Sequence, residues 1–129
     1  MSPTPSWTAD DLAQIGAAEE VQIAAARADG SLRPFTTIWV VRVGEQLFVR
    51  SWHGRRGAWF RQALASGTGR IRVAGRDRDV VFVDADDLPP DVIDAAYRSK
   101  YARHGAQYVD PMIGSAAAAA TMRLEPTES

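Results

Sequence analysis

The sequence has no cysteine, which removes disulfides and thiolate nucleophiles from consideration. Histidine is scarce as well. His53 and His104 stand alone, too few for the ligand set of a structural or catalytic zinc, so no metal site is expected. Lysine is reduced to one residue, Lys100, and the isoelectric point is about 6.1, which argues against a nucleic-acid partner. No apolar run approaches the roughly 20 residues of a bilayer span. The opening "MSPTPSWTADD" lacks the basic and apolar regions of a signal peptide, so a cytoplasmic protein with no membrane partner is expected.

What is present fits one compact domain. The 129 residues are 46% hydrophobic and 24% charged, enough for a modest core, and a single domain over 1–129 is expected, with 1–6 and 126–129 as flexible tails. The charge balance is uneven along the chain. Between Gln46 and Arg76 lie seven arginines and no acid, so the remaining eight basic residues face all 16 acidic ones. Such a run is most simply a solvated face, and the arginines of "RIRV" fit that reading on the outer side of a strand.

Hydrophobic periodicity predicts the elements. Thr8, with Asp11 three residues on, caps a short helix ended near Gly16, and alternation at Val21, Ile23 and Ala25 predicts a strand followed by the turn "ADGS". "FTTIWVVRV", Phe35 to Val43, reads as one β arm. It turns at "GEQ" into "LFVRSW", which should carry Phe48, Arg50 and Trp52 outward on one side. "GAWFRQALASGTG" predicts a two-turn helix anchored by Trp59, or by Phe60 with Leu64. A second hairpin joins "RIRVAG" to "DVVFVDA" around "GRDR", and a proline-entered helix sets Ile93, Tyr97 and Tyr101 on one stripe, a pattern commoner in cores than in binding sites. "TMRL" closes as a last strand. The fold class expected is mainly β with helices (α+β), a small closed or half-closed barrel of about six mostly antiparallel strands.

The segment "FVRSWHGRRGAWFRQ" carries the chemistry. A strand ends at Arg50 and Ser51, a glycine-flanked turn holds Arg55 and Arg56, and a helix starts near Ala58, so backbone N–H groups and cations converge where an anion could sit. Gly54 and Gly57 permit close approach, and Trp52 or Trp59 could offer a flat face to a ring. Neither G-x-x-x-x-G-K-[ST] nor G-x-G-x-x-G occurs.

"LFVRSWHGRRGAWFRQALASGTGRIRVAG" resembles the flavin and deazaflavin split-barrel oxidoreductases. Trp59-Phe60 stands where that family has a Trp-Tyr pair, and "YRSKYARHGAQY" resembles its tyrosine-rich helix. Over nearly the whole chain the sequence is similar to an uncharacterised bacterial group, domain of unknown function 2255. The resemblance implies an FMN-binding split-barrel-like fold and a homodimer. It also implies FMN or the 8-hydroxy-5-deazaflavin coenzyme as cofactor, held by Arg50, Ser51, Trp52, Gly54, Arg55, Arg56 and Trp59. Tyr97, Tyr101, His104 and Tyr108 would line the substrate end, with Tyr101 and Tyr108 as candidate proton donors. The implied activity is an oxidoreductase reaction on a small organic molecule. One departure matters: the family's "GR-x-[ST]-G" turn is replaced by "GSLRPF", with Arg33 its one cation. A cofactor-free protein that binds a small molecule, or catalyses its rearrangement or cyclisation, is the alternative, and a nucleic-acid-binding module the third.

Overall fold

The structure, a computed structural model, describes residues 7–85 and 89–127. Helix α1 (Ala9–Ala17) starts as predicted, with the Thr8 side chain accepting from the Asp11 N–H, but runs one residue past Gly16. Seven strands follow: β1 (Val21–Ala25), β2 (Thr36–Ile38), β3 (Val41–Val43), β4 (Gln46–Arg50), β5 (Thr68–Val73), β6 (Arg76–Asp84) and β7 (Thr121–Pro126). Helix α2 (Ala58–Ser66) sits between β4 and β5, while α3 (Pro90–Tyr101), α4 (Ala106–Ile113) and α5 (Ser115–Ala119) lie between β6 and β7. The sequence reading contained no helix over α4. Its "YVDPMIG" holds Pro111, which reads as a breaker but is accommodated inside this short helix.

All strands pair antiparallel in one sheet of order β2-β1-β5-β6-β7-β4-β3. The edges of that order, β2 and β3, are joined by Trp39 and Val40 alone. In a flat sheet, six spacings of about 4.8 Å would separate the edges by nearly 30 Å, whereas the three peptide links from Ile38 to Val41 reach about 11 Å at most. The sheet must therefore curl until its edges almost meet. It is a half-closed barrel, and the seam falls in the middle of "FTTIWVVRV". This corrects the expectation of a single arm there: the run is split into two edge strands, because its central residues are needed to cross the seam.

The curl creates two apolar clusters. Inside it, Leu47, Val49, Ile71, Val73, Val80, Phe82, Met122 and Leu124 meet Leu12 and Ile15 of α1 and Phe60 of α2. Outside it, Val41 and Phe48 pack with Ile93, Tyr97 and Tyr101 of α3 and Val109 and Met112 of α4. Strand β4 is thus buried on both faces, which is why "LFVR" reads as nearly continuous apolar sequence. Gly69 makes the β1–β5 approach possible, since a Cβ there would lie 2.2 Å from the Ala24 carbonyl oxygen. The β5–β6 hairpin turns at Ala74-Gly75, both with positive φ, rather than at "GRDR", because the two-residue turn matches the strand twist.

The expected tails fall mostly on 1–6 and 128–129, outside the described residues. Pro126, assigned to a tail, belongs to β7 and pairs with Val80, and the Trp7 indole N–H donates to the Leu124 carbonyl (2.9 Å). No helix among the described residues is long and apolar enough to cross a membrane.

Candidate functional site

The acid-free arginine run finds its acids later in the chain. In the β5–β6 register Arg70 faces Asp79 and Arg72 faces Asp77, and both pairs close as ion pairs at 2.9 and 2.7 Å on the sheet exterior. The hydrogen bond from Arg72 holds the Asp77 carboxyl below its ordinary range, against a smaller opposing effect of desolvation. These two are solvated-face arginines, as predicted.

Arg50 is different, and the expectation that it leads outward is corrected. It is 1% exposed. Its Nε donates to Thr121 Oγ1 (2.9 Å), and one terminal nitrogen donates to Asp94 Oδ1 (2.5 Å) and to the Met112 carbonyl (2.8 Å). The side chain points out of β4 on the Phe48 face, as the alternation requires, but that face is roofed by α3 and α4. Arg55 donates to the Ala119 carbonyl (2.8 Å) and pairs with Asp84 (2.9 Å). Arg56 alone of the three is exposed without a carboxylate partner among the described residues. Gly54 to Arg56 form a short 3-10 turn, and Gly57 is packed so closely on Ser51 that a Cβ would lie 2.4 Å from its hydroxyl. Ser51 is itself buried, with no hydrogen-bond partner for that hydroxyl among the described residues. The Arg50–Arg56 stretch is therefore wired largely to the protein.

The aromatic residues separate into two groups. Tyr97 and Tyr101 are fully buried on the α3 stripe, so the core reading of that stripe replaces the substrate-lining one. The Tyr101 hydroxyl accepts from the Val40 N–H (3.1 Å) and lies 2.9 Å from the Glu19 and Val40 carbonyl oxygens, to one of which it donates. Burial raises both phenols well above their ordinary range, so both stay protonated. Trp59 is half-buried against the inner cluster and edge-on to Phe60, the residue that anchors α2. Trp52 and Tyr108 are 58% and 57% exposed. His104 bonds through Nε2 to Glu19, which also pairs with Arg103.

A second arginine set was not singled out in the sequence. A groove of about 610 Å³ lies between the β1–β2 loop and one face of α2, with Arg27, Arg33, Arg61, Gln62, Ser66 and Thr68 among its walls. Among the described residues, three cations line it and no acid does. Arg27 is held by neutral acceptors, the Leu32 carbonyl (2.8 Å) and Ser31 Oγ (3.4 Å), with Asp29 near enough to feel its charge. Arg33 and Arg61 have no carboxylate partner among the described residues. Ala58, the first residue of α2, also lines the groove, and that helix begins at Gly57 without a side-chain cap. Around the Ala26–Leu32 bridge, Arg27 opposite Ser31 and Arg33 opposite Ala25 are diagonal neighbours on one face. The available sequence signal was two arginines flanking a tight turn; nothing local tied them to Arg61.

Residues 11–124 match the profile of a family described as "Uncharacterized protein conserved in bacteria", domain of unknown function 2255. The chain belongs to this family. No curated protein matches the sequence. Among solved structures, the heme storage protein HutZ from Vibrio cholerae is similar at a TM-score of 0.64 and 14% identity, over 94% of this chain and 91% of that one. A FAD-binding protein from Mesorhizobium loti is similar at 0.51 and 16%, over 98% and 95%. An F420 reductase is similar at 0.50 and 14%, over 91% and 93%. At these identities the likeness is one of fold, the split-barrel fold of flavin-binding proteins, in agreement with the seam between β2 and β3.

Proposed function

We propose that this protein holds a phosphate-bearing flavin or deazaflavin in the Arg27–Arg33–Arg61 groove and serves as an oxidoreductase for a small organic molecule. One observation carries the reading: three arginines converge on a groove with no acid in its walls, and two of them have no carboxylate partner among the described residues. The groove's volume lies within the roughly 300–1,000 Å³ usual for small ligands. Its donor set suits an anion, since guanidinium groups match phosphate oxygens and an uncapped helix start adds backbone N–H groups. Arg33, Arg61 and Arg27 would grip the phosphate, with Gln62 and Ser66 as neutral hydrogen-bonding neighbours. A flavin or deazaflavin supplies hydride chemistry when bound; the protein's part is to hold and orient it. Fold relatives named for FAD and F420 support this choice of ligand, and the homodimer and cytoplasmic placement expected from the sequence belong to the same proposal.

The cofactor-free alternative draws support from Arg50 and Arg55, whose charge is already met by Asp94 and Asp84. Calorimetric titration with FMN and with the 8-hydroxy-5-deazaflavin coenzyme separates the two. Each charge-assisted hydrogen bond is worth about 1.5–3 kcal/mol, so Arg33→Ala with Arg61→Ala should weaken binding about 100-fold or more. Absence of binding by the unaltered protein, or equal binding by the double variant, leaves the cofactor-free reading in its place.

A further inference from the structure

Away from the arginine groove, two cavities share a wall. One, of about 170 Å³, is lined by Trp39, Trp52, Gln107, Tyr108, Pro111 and Met112. The other, of about 250 Å³, is lined by Glu19, Glu20, Trp39, His104 and Tyr108. Trp39 and Tyr108 belong to both, so the two cavities adjoin along these rings and are taken together as one cleft, apolar at the Trp52 end and polar at the His104 end. None of these residues lines the arginine groove.

Each part of the cleft has a physical implication. Trp39 is fixed by stacking on Tyr101, centroids 3.9 Å apart and planes 3° from parallel, and so is a rigid wall. Trp52 and Tyr108 remain more than half exposed, and a ring inserted between them would take apolar surface from water and gain stacking. At the other end the groups accept hydrogen bonds. Arg103 and His104 both engage Glu19, and their hydrogen bonds and the nearby charges hold its carboxyl below the ordinary range despite the larger single effect of desolvation. Glu19 is therefore an anion at neutral pH. It engages the His104 ring through Nε2, and Nδ1 has no hydrogen bond among the described residues. Glu20, exposed and without a cationic partner among the described residues, adds a carboxylate whose charge is unspent.

We infer that this cleft binds a flat aromatic molecule carrying a cationic or N–H-donating nitrogen group, its ring between Trp52, Trp39 and Tyr108 and its nitrogen toward His104 and Glu20. The aromatic walls attract a delocalised cation, and the polar end offers acceptors that such a nitrogen can satisfy. The site differs in residues and in charge preference from the arginine groove and stands whether or not a flavin binds there.

The test is a fluorescence titration of the full chain with proflavine, a planar cation, and with anthracene carboxylate, a three-ring anion. Proflavine should bind one per chain and more tightly than the anion. Trp52→Ala and Tyr108→Ala should each weaken it about 3- to 10-fold, the range expected of one stacking or cation–π contact. Glu20→Gln should narrow the preference for proflavine, and Arg33→Ala with Arg61→Ala should leave proflavine binding intact while acting on FMN. Circular dichroism verifies that the exposed-site variants fold. Equal affinity for cation and anion, or proflavine binding indifferent to both aromatic substitutions, overturns the inference. So does the absence of proflavine binding together with a dimer that Trp52→Ala dissociates, because the aromatic patch is then an interface.

Discussion

Arg50 and Arg61 both lie in the acid-free run, eleven positions apart, yet their surroundings are opposite. Arg50 is enclosed beneath α3 and α4 with Asp94, Thr121 and two carbonyls within reach, whereas Arg61 lies exposed on a groove wall beside two further arginines and, among the described residues, no acid. Arginine count alone is thus a poor guide to which guanidinium is free to meet a ligand. What separates a structural arginine from a binding one is whether the fold has already supplied its anion. A buried guanidinium without its carboxylate would be untenable, while exposed guanidinium groups crowded around a groove repel one another mildly and gain from an external anion.

The strongest way to break this contrast is to remove the inner cation. Arg50→Met leaves Asp94 without its partner in a largely enclosed position, and losing one member of a buried pair costs about 3–5 kcal/mol. Urea denaturation should show that loss; a change below about 1 kcal/mol would mean the pair is not structural and would return Arg50 to the list of ligand contacts.

The two buried tyrosines sharpen the same point on a smaller scale. Tyr101→Phe leaves the Val40 N–H without its acceptor and should cost about 1–3 kcal/mol. Tyr97→Phe should be close to neutral, since the Tyr97 hydroxyl is buried and has no hydrogen-bond partner among the described residues. Equal losses in the two variants would show that the Tyr101 hydroxyl bonds do not stabilise the fold.

Lys100 is an intermediate case, a half-buried cation whose Nζ donates to the Val40 carbonyl (2.7 Å). Desolvation lowers its pKa to about 8, with Glu19 opposing and Arg103 assisting. Below that pH both folded and unfolded chains carry the proton and the penalty is constant. Above it the folded state releases the proton first, so the unfolded chain binds more protons and stability should rise with pH. The rise should persist to about pH 10, where the raised phenols of Tyr97 and Tyr101 begin to act in the opposite sense. Melting curves from pH 7 to 10 should therefore climb relative to Lys100→Met; parallel curves would show that Lys100 is well solvated.

The smallest expected effect is on the outer arginines. Replacing both Arg33 and Arg61 by alanine should change stability by no more than about 1 kcal/mol, because the half-buried Arg33 and the exposed Arg61 have no carboxylate partner among the described residues and such cations contribute little. A large loss would move them to the structural side of the comparison. Only together with the cofactor titration does this near-silence in stability become informative.

Much of this was legible from local pattern. The Thr8 cap, the glycine stop of α2 at Gly67, the alternation in β1 and β5 and the Ile93–Tyr97–Tyr101 stripe all depend on residues within a few positions of one another, and all appear in the structure. The site was read less well. "WHGRRG" reads as an anion cradle because its glycines, arginines and following helix are contiguous, while the arginine groove joins the β1–β2 loop to α2, two segments far apart in the sequence. His104 and Tyr108 were chosen as ligand-lining residues on resemblance; the structure sets them in one cleft with Trp39 and Trp52, a meeting no spacing rule announced.

The sequence by itself determined most of the helices and strands, α4 and the break in "FTTIWVVRV" excepted, and that one arginine-rich stretch required explanation, since propensity, capping and periodicity act over one or two turns. Only the tertiary structure decided which arginines are spent. Asp94 lies 44 residues from Arg50 and Asp84 lies 29 from Arg55, and those carboxylates arrive only when β6 joins the sheet and α3 closes over β4. The seam was decided in the same way. "FTTIWVVRV" has the propensity of one strand, and it became two because the curl of seven strands brings opposite sheet edges within reach of a two-residue link. Local sequence carries no term for that closure; it follows from burying both faces of β4 at once.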